Sequence, residues 1–405
     1  MTKKEKLAQA PSGSAFLLPQ EEMLEVRRKG KKIRIGIPCD REKVEFRVPL
    51  TPQAVELLVS YGHEIFIEKD AGKAASYSDE EYTDAGAMVM QDRKEIYECD
   101  IVLRVSPFDE SEIEQLKGHQ ALISNLQINA HCQNSISRLM QKKMINIAYE
   151  YLEDEQGNQP VVQLMSQISG TTSVILANEY MSKSHNGKGV LLGSVTGISP
   201  AEVVILGSGT AAEYAARVAL GLGAIVKVFD DNINSLRRLE EKLQQRIFTS
   251  VFYPKVVKKA LKSADAVLGA MPVGTPPAFF ITEEMVKKMK QGSVIIDLNV
   301  GQGGCFETSR PTDLNNPTFI EHGVVHFCVP NVPAIVSRTA SIALSNILIP
   351  IIIAIGEIGG IDNYIKDSKG FRRGVYIYNG ILTNSALADR FNLPYKDLDL
   401  LMAVY

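Results

Sequence analysis

The sequence predicts an α/β protein built from two doubly wound domains, joined by two long helices that leave a cleft between them. Three observations predict it. Short apolar runs alternate with helical segments along most of the chain, as parallel βαβ units require. Two long helical stretches, at 163–182 and 337–358, each separate one alternating region from the next. A chain of 405 residues is also long enough for two apolar cores.

The elements follow in order. Residues 1–30 are polar and weakly patterned, with one short helix expected at Gln20–Arg28. KIRIGIP (32–38) reads as the first strand. TPQAVELLVSYG (51–62) has a Thr N-cap, a proline in its first turn and a closing glycine, the marks of a helix. HEIFIEK (63–69), DIVLRVS (100–106), ALISNLQ (121–127) and INIAYEY (145–151) read as strands, with helical text between them. EDEQGN (153–158) is a polar turn, and QLMSQISGTTSVILANEYMS (163–182) is the first bridging helix. Alternation restarts at AEVVILGSG and runs through IVKVFD (225–230), DAVLGAM (265–271), SVIIDLN (293–299) and VVHFCVP (324–330). The second bridge, Ser337–Ile358, returns the chain to the first domain. The resulting division is an extension over 1–30, a substrate domain from 31–160 and 338–405, and a nucleotide-binding domain over 161–337.

Composition narrows the partners. Apolar residues at 45% and charged residues at 22% describe an ordinary globular chain. A net charge of −3 gives no basic face for nucleic acid. Cys39, Cys99, Cys132, Cys305 and Cys328 are scattered and odd in number, which suits a reducing cytoplasm. Ala340–Gly356 is apolar, but at 17 residues it is short, and Ser345, Asn346 and Pro350 interrupt it. A buried helix accounts for it better than a membrane span.

The strongest chemical text is VVILGSGTAAEYAARVALGLGAIVKVFDD. A strand ends at Gly207 and a helix begins near Thr210, enclosing Gly207-Ser208-Gly209-Thr210-Ala211-Ala212. Gly207 permits a tight turn, Gly209 lets the backbone approach a pyrophosphate, and the helix N-terminus receives the negative charge. Ala212 stands where glycine is usual and still allows close packing of helix on strand. Asp230 closes the next strand, 23 residues after Gly207, where a carboxylate accepts from ribose hydroxyls and repels a 2′-phosphate. Asp231 adds to that charge, whereas Arg237 and Arg238 could neutralise a phosphate. The reading is a Rossmann domain with NAD as cofactor, favoured over NADP; a chance tight turn is the bland alternative.

These residues carry a resemblance. RIGIP…EFRVPLTP (34–52), IAYEYL (147–152), LMSQISG (164–170), GSGTAAEYAAR (207–217), VGQGGCFETSRPT (300–312) and CVPNVPAIVSRTAS (328–341) are similar to alanine dehydrogenases and to the NAD-binding subunit of proton-translocating transhydrogenase. The YEYLEDEQGNQPVVQLMSQ stretch is closer to the dehydrogenases, since it lacks the Arg-Gln-Asp loop of the transhydrogenases. The resemblance implies NAD-linked oxidative deamination of L-alanine to pyruvate, an amino-acid catabolic step, in a cytoplasmic homo-oligomer, often a hexamer. It places Arg47 on the substrate carboxylate, which suits a forked guanidinium. It places Asn331 beside the nicotinamide and Ser166, Met271, Val300 and Val329 along the cofactor pocket. Core packing would equally account for the three apolar ones.

The catalytic positions depart from the family. Its lysine falls at Ser106, its histidine at Gln127, and its aspartate before QGG at Gly301. Serine supplies no positive charge and glutamine exchanges no proton near neutrality. Each loss is expected to cost about 10²–10⁴-fold. Arg104 stands two residues from Ser106, on the same face of an extended strand, and is a candidate substitute cation. His119 and His131 fall in loop text, where a lone histidine is usually solvated. Three readings stay open: a dehydrogenase with rearranged catalysis, a non-catalytic NAD-binding or regulatory protein, and a transhydrogenase-like hydride-transfer subunit.

Overall fold

The computed structural model describes residues 30–40, 45–128, 131–271 and 281–404. The helix expected at Gln20–Arg28 lies outside them. Six parallel strands form most of the first sheet: β1 (Arg34–Ile37), β2 (Glu64–Glu68), β3 (Met88–Met90), β4 (Ile101–Leu103), β5 (Ala121–Ser124) and β6 (Ile145–Ala148). The second sheet begins with β7 (Glu202–Leu206), β8 (Ile225–Phe229), β9 (Phe248–Ser250), β10 (Ala266–Gly269) and β11 (Val294–Asp297). It ends with β12 (Thr318–Glu321) and β13 (Val324–Phe327), of which β12 is antiparallel. The chain then returns to the first sheet as β14 (Val375–Tyr378) and β15 (Ile381–Leu382), both antiparallel to their neighbours.

Strand order places the crevices. It is β15-β14-β6-β5-β4-β1-β2-β3 in the first sheet and β12-β13-β11-β10-β7-β8-β9 in the second. The order reverses between β4 and β1 and again between β10 and β7. At such switch points the connections leave in opposite directions, and ligands bind beyond the carboxyl ends of the strands. In the first sheet those ends lead to Glu45–Arg47 and to Arg104–Ser106. In the second they lead to Gly207 and Met271.

Several expected strands stop early. DIVLRVS is extended only to Leu103, and INIAYEY turns after Ala148 into a tight helix at Tyr149–Tyr151. Both turns fall at the crevice, where the backbone bends to present side chains. The strands β3, β9, β12, β14 and β15 were not expected; all are sheet-edge or near-edge segments of two to four residues.

The two bridging helices run over Pro160–Tyr180 and Ser337–Glu357. The first crosses the Thr210–Gly221 helix at Gly170, where any Cβ would collide with the Ala211 carbonyl. The second is long and apolar enough to cross a membrane by length and composition. In this fold its Leu344, Leu348, Ile352 and Ile355 are buried in the core of the first domain. Two serines on its buried face have partners. Ser341 Oγ accepts from Val48 N–H at 2.9 Å, and Ser345 Oγ accepts from Thr51 N–H at 3.0 Å. Thr51 caps the Pro52–Ser60 helix by accepting from Ala54 N–H.

Because Gly170 meets backbone rather than a movable side chain, Gly170→Val is expected to destabilise by about 1–3 kcal/mol. Urea unfolding followed by circular dichroism checks this; an unchanged midpoint would mean that the two helices separate freely.

Candidate functional site

The first crevice is organised by an ion pair. Glu45 and Arg47 lie two apart on an extended segment and so share a face. Arg47 Nε donates to Glu45 Oε1 and Nη2 to Glu45 Oε2, both at 2.7 Å, and both residues are buried. Burial alone would lower the guanidinium pKa, but the carboxylate beside it drives it further up. Arg47 Nη1 points to Met165 Sδ at 3.4 Å, on the first bridging helix next to half-buried Ser166. Glu45 Oε2 also accepts from Asn331 Nδ2 at 2.8 Å. Asn331 follows β13, so this bond spans the two sheets. Tyr149 is within electrostatic reach of Arg47, and its hydroxyl donates to Val105 O at 2.8 Å.

Ser106 is fully buried, its Oγ has no partner, and its N–H donates to Asp40 Oδ2 at 3.0 Å. Arg104 does not serve the site as the sequence suggested. Its Nη1 donates to Glu112 Oε1 at 2.6 Å, its Nε to Ser106 O at 3.1 Å, and its Nη2 to Pro107 O. Arg93 donates to the same Glu112 oxygen at 2.7 Å and pairs with Glu68. The guanidinium, buried and seated over the Phe108 ring at 4.3 Å, therefore braces the turn that carries Ser106. Gln127 is exposed, with a positive φ of 38°. His119 is solvated as expected, but His131 is buried against Tyr376, because the chain after β5 folds back over the core.

In the second crevice Gly207 has φ of 107°, and a Cβ there would strike the Ala270 carbonyl. Gly209 is the opposite case: it is exposed, and a Cβ there would meet nothing within 4 Å. One glycine makes the turn and the other leaves room for a ligand against the backbone. Thr210 and Ala211 open the helix, and Ala212 is fully buried where the helix packs on its strand. Asp230 Oδ2 accepts from Ser208 N–H at 2.8 Å and Ser208 Oγ at 2.7 Å, and Oδ1 accepts from Asn232 N–H. A carboxylate offers about four acceptor positions, so roughly one remains for a ribose hydroxyl. Asp231 is exposed, as are Arg237 and Arg238, which bond to Glu241 and Ser235 on their own helix.

Met271 is half-buried at the end of β10, its carbonyl held by Asn299 Nδ2 at 3.0 Å. Val300 is buried in the turn after β11, and Val329 is fully buried among core residues. Gly301 is exposed, and a Cβ there would touch only Pro330. Sequence reasoning passed over Glu45, Tyr149 and Glu150. Glu45 was legible in the i, i+2 spacing of EFR. The other two follow a strand, and nothing in sequence shows that the chain turns there.

Comparison with known proteins follows the same two-part layout. Residues 36–169 match the model described as "Alanine dehydrogenase/PNT, N-terminal domain", and residues 173–385 match "Alanine dehydrogenase/PNT, C-terminal domain". The chain belongs to this family. An alanine dehydrogenase of Staphylococcus saprophyticus is 36% identical over 367 residues, covering 90% of this chain and 98% of the relative. Alanine dehydrogenase 2 of Staphylococcus aureus is 35% identical, covering 91% and 99%. Among solved structures, an L-alanine dehydrogenase superposes with a TM-score of 0.83 at 34% identity, over 89% of this chain and 99% of that one. A transhydrogenase from Sinorhizobium meliloti, at 22% identity, has a TM-score of 0.72 over 87% and 99% and shares the fold.

Within this member of the alanine dehydrogenase/PNT family, Glu45→Ala leaves the Arg47 charge buried without its carboxylate. A loss of about 3–5 kcal/mol is expected, against a much smaller one for Glu45→Met combined with Arg47→Met. Thermal unfolding of both variants decides it: equal losses would show that the charge pair is not what stabilises this segment.

Proposed function

We propose that this protein is an NAD-linked oxidoreductase that oxidatively deaminates L-alanine or a related small amino acid to the 2-oxo acid. The observation that carries this reading is the buried Glu45–Arg47 pair at the contact with Asn331. The carboxylate of an α-amino acid would meet the Arg47 guanidinium there. Of the five guanidinium N–H donors, three are committed to Glu45 and Met165, which leaves two for a substrate carboxylate. The Glu45 carboxylate is filled by Arg47 N, Nε and Nη2 and by Asn331 Nδ2, so its part is to hold the guanidinium in place.

The second crevice fits a dinucleotide. The turn Gly207–Ala212 would hold the pyrophosphate against the helix N-terminus, with open space at Gly209, and Asp230 would hold the adenosine ribose. Ser166, Met271 and Val300 would line the remainder of the pocket, whereas Val329 is sealed in the core beneath it. When bound, the nicotinamide supplies a hydride acceptor. The protein's own part is to orient the amino acid through Arg47 and Asn331, with the buried Tyr149 side chain packed beside them. Neither Ser106 nor Gln127 adds an electrophile or a base, so slow turnover is expected, roughly 10²-fold or more below an intact site.

Those same substitutions, with Gly301, favour a second reading in which the protein binds NAD without turnover. Transhydrogenase-like hydride exchange is the third. A homo-oligomer, with a hexamer as the form to test, and a cytoplasmic location complete the proposal. Exposed Leu191, Ile198, Leu222 and Ile225 and five unpaired cysteines support these.

Calorimetric titration with NAD and NADH, followed by an alanine turnover assay, separates the readings. The proposal expects binding, NADH formation with an amino acid, and loss of turnover in Arg47→Ala with NAD affinity kept. Binding with no NADH change across a panel of amino and oxo acids would leave the second reading. In either case Gly209→Val should fold normally and bind NAD at least about tenfold more weakly, a change of about 1.4 kcal/mol.

A further inference from the structure

Among the described residues, five buried side-chain polar atoms have no hydrogen-bond partner: Ser106 Oγ, both ring nitrogens of His131, Asn146 Oδ1 and Glu150 Oε2. Four of the five belong to residues gathered at Tyr376. Asn146 Nδ2 donates to the Tyr376 hydroxyl at 3.2 Å, the His131 ring centroid lies 6.4 Å from that of Tyr376, and the charge of Glu150 bears on the Tyr376 hydroxyl. Buried polar atoms are rarely left unpaired, so a concentration of them marks a place where a proton or ligand changes the pairing.

The other oxygen of Glu150 is engaged. Oε1 accepts from Leu126 N–H at 2.8 Å; the Gln127 amide donates to Asn125 Oδ1 at 2.9 Å and lies near enough to Glu150 to stabilise its charge. This carboxyl therefore links the Tyr376 cluster to the turn that presents Gln127, whose backbone is in the left-handed region. We propose that Glu150 is a proton-switched positioning residue for the candidate site. As a carboxylate it braces the Leu126–Gln127 turn; on taking up a proton it slackens that turn and shares the proton with Tyr376, Asn146 and His131.

The proton would enter a cluster that holds two acceptors, Glu150 Oε2 and Asn146 Oδ1, and two donors, the Tyr376 hydroxyl and the N–H of neutral His131; on Oε2 it turns one acceptor into a donor. Burial pushes the Glu150 carboxyl up to about 7, against the backbone N–H groups of its own turn, Leu126 and Gln127. The titratable groups facing it are Tyr149 and Tyr151 on its own turn and Tyr376 on β14. Burial first, and the Glu150 charge after it, raise all three and keep their protons on. Burial also lowers the pKa of His131, across the cluster, and keeps it neutral. An ionised carboxylate accepts amide hydrogen bonds more strongly than a protonated one, so the brace tightens as pH rises through about 7.

The effect on turnover rests on the dehydrogenase reading; the brace does not. Infrared difference spectra of the full chain, from about pH 6 to about pH 8, read the protonated carboxyl band. Amide hydrogen exchange at Leu126 and Gln127, corrected for intrinsic rate, reads the turn. The expected result is a band lost with a midpoint near neutrality, absent from Glu150→Gln and shifted in Tyr376→Phe. Protection of the Leu126 amide should rise severalfold across the same midpoint, stay flat in Glu150→Gln, and lose its link to the titration in Glu150→Asp, which keeps the acid but not the reach; the Gln127 amide, held by Asn125, is the internal reference. A carboxyl that has already ionised well below pH 6, or protection indifferent to pH in the native chain, would overturn the proposal. If an amino acid is turned over, kcat follows the same midpoint and Glu150→Gln flattens it. Absence of turnover with the exchange result intact removes the dehydrogenase reading and leaves the brace standing.

Discussion

The Ala211 carbonyl lies so close to Gly170 that no side chain fits between them, and the placement of one sheet against the other depends on that contact. It fixes how the first bridging helix lies on the helix that opens the dinucleotide turn. With that crossing set, Met165 reaches Arg47 from one side and Asn331 reaches Glu45 from the other. A bulkier residue at 170 would push these partners apart together. The site is thus held by helix packing some distance from its chemistry, and the polar contacts across the seam report on that packing as much as they create it.

The two crevices have had different fates. The nucleotide side keeps each feature that a pyrophosphate needs: a strained glycine, an open glycine, a helix start and a carboxylate at the end of the next strand. The first crevice holds a buried charge pair, with Ser106 and Gln127 at the positions where the family resemblance implies a lysine and a histidine. Arg104, a cation at the right strand end, is drawn into a buried network with Glu112, Arg93 and Glu68, where leaving would strand several charges at once. Such an arginine holds a turn well and serves a substrate poorly.

Much of this was legible in the residues. The alternation of strand and helix, both bridges, the capped helix after Thr51 and the glycine turn all rest on local signals, and local signals survive folding. Edge strands such as β12 and β15 were not legible, because a strand of two to four residues has too little periodicity to read and exists only through its neighbour. Glu45 was within reach of the sequence, through its spacing from Arg47. Burial of His131 and the coupling of Glu150 to Leu126 were not, since both depend on chain reversals after strand ends. Extending DIVLRVS to 106 placed Arg104 and Ser106 on one face; the strand ends at Leu103, and the backbone beyond it follows the ion network instead.

The hydroxyls of Ser341 and Ser345 seat the Val48 and Thr51 amides, beside the arm that carries Arg47, across 293 and 294 residues of sequence. During synthesis that arm leaves the ribosome long before its anchor does. At about 5–20 residues per second, the delay is roughly 15–60 s. For that interval the first sheet also lacks β14 and β15, and the arm has no partner for its amides. The amino-terminal domain is therefore begun first and finished last, and a nascent chain halted before residue 341 would carry the whole Gly207–Ala212 turn beside an unset Arg47 arm.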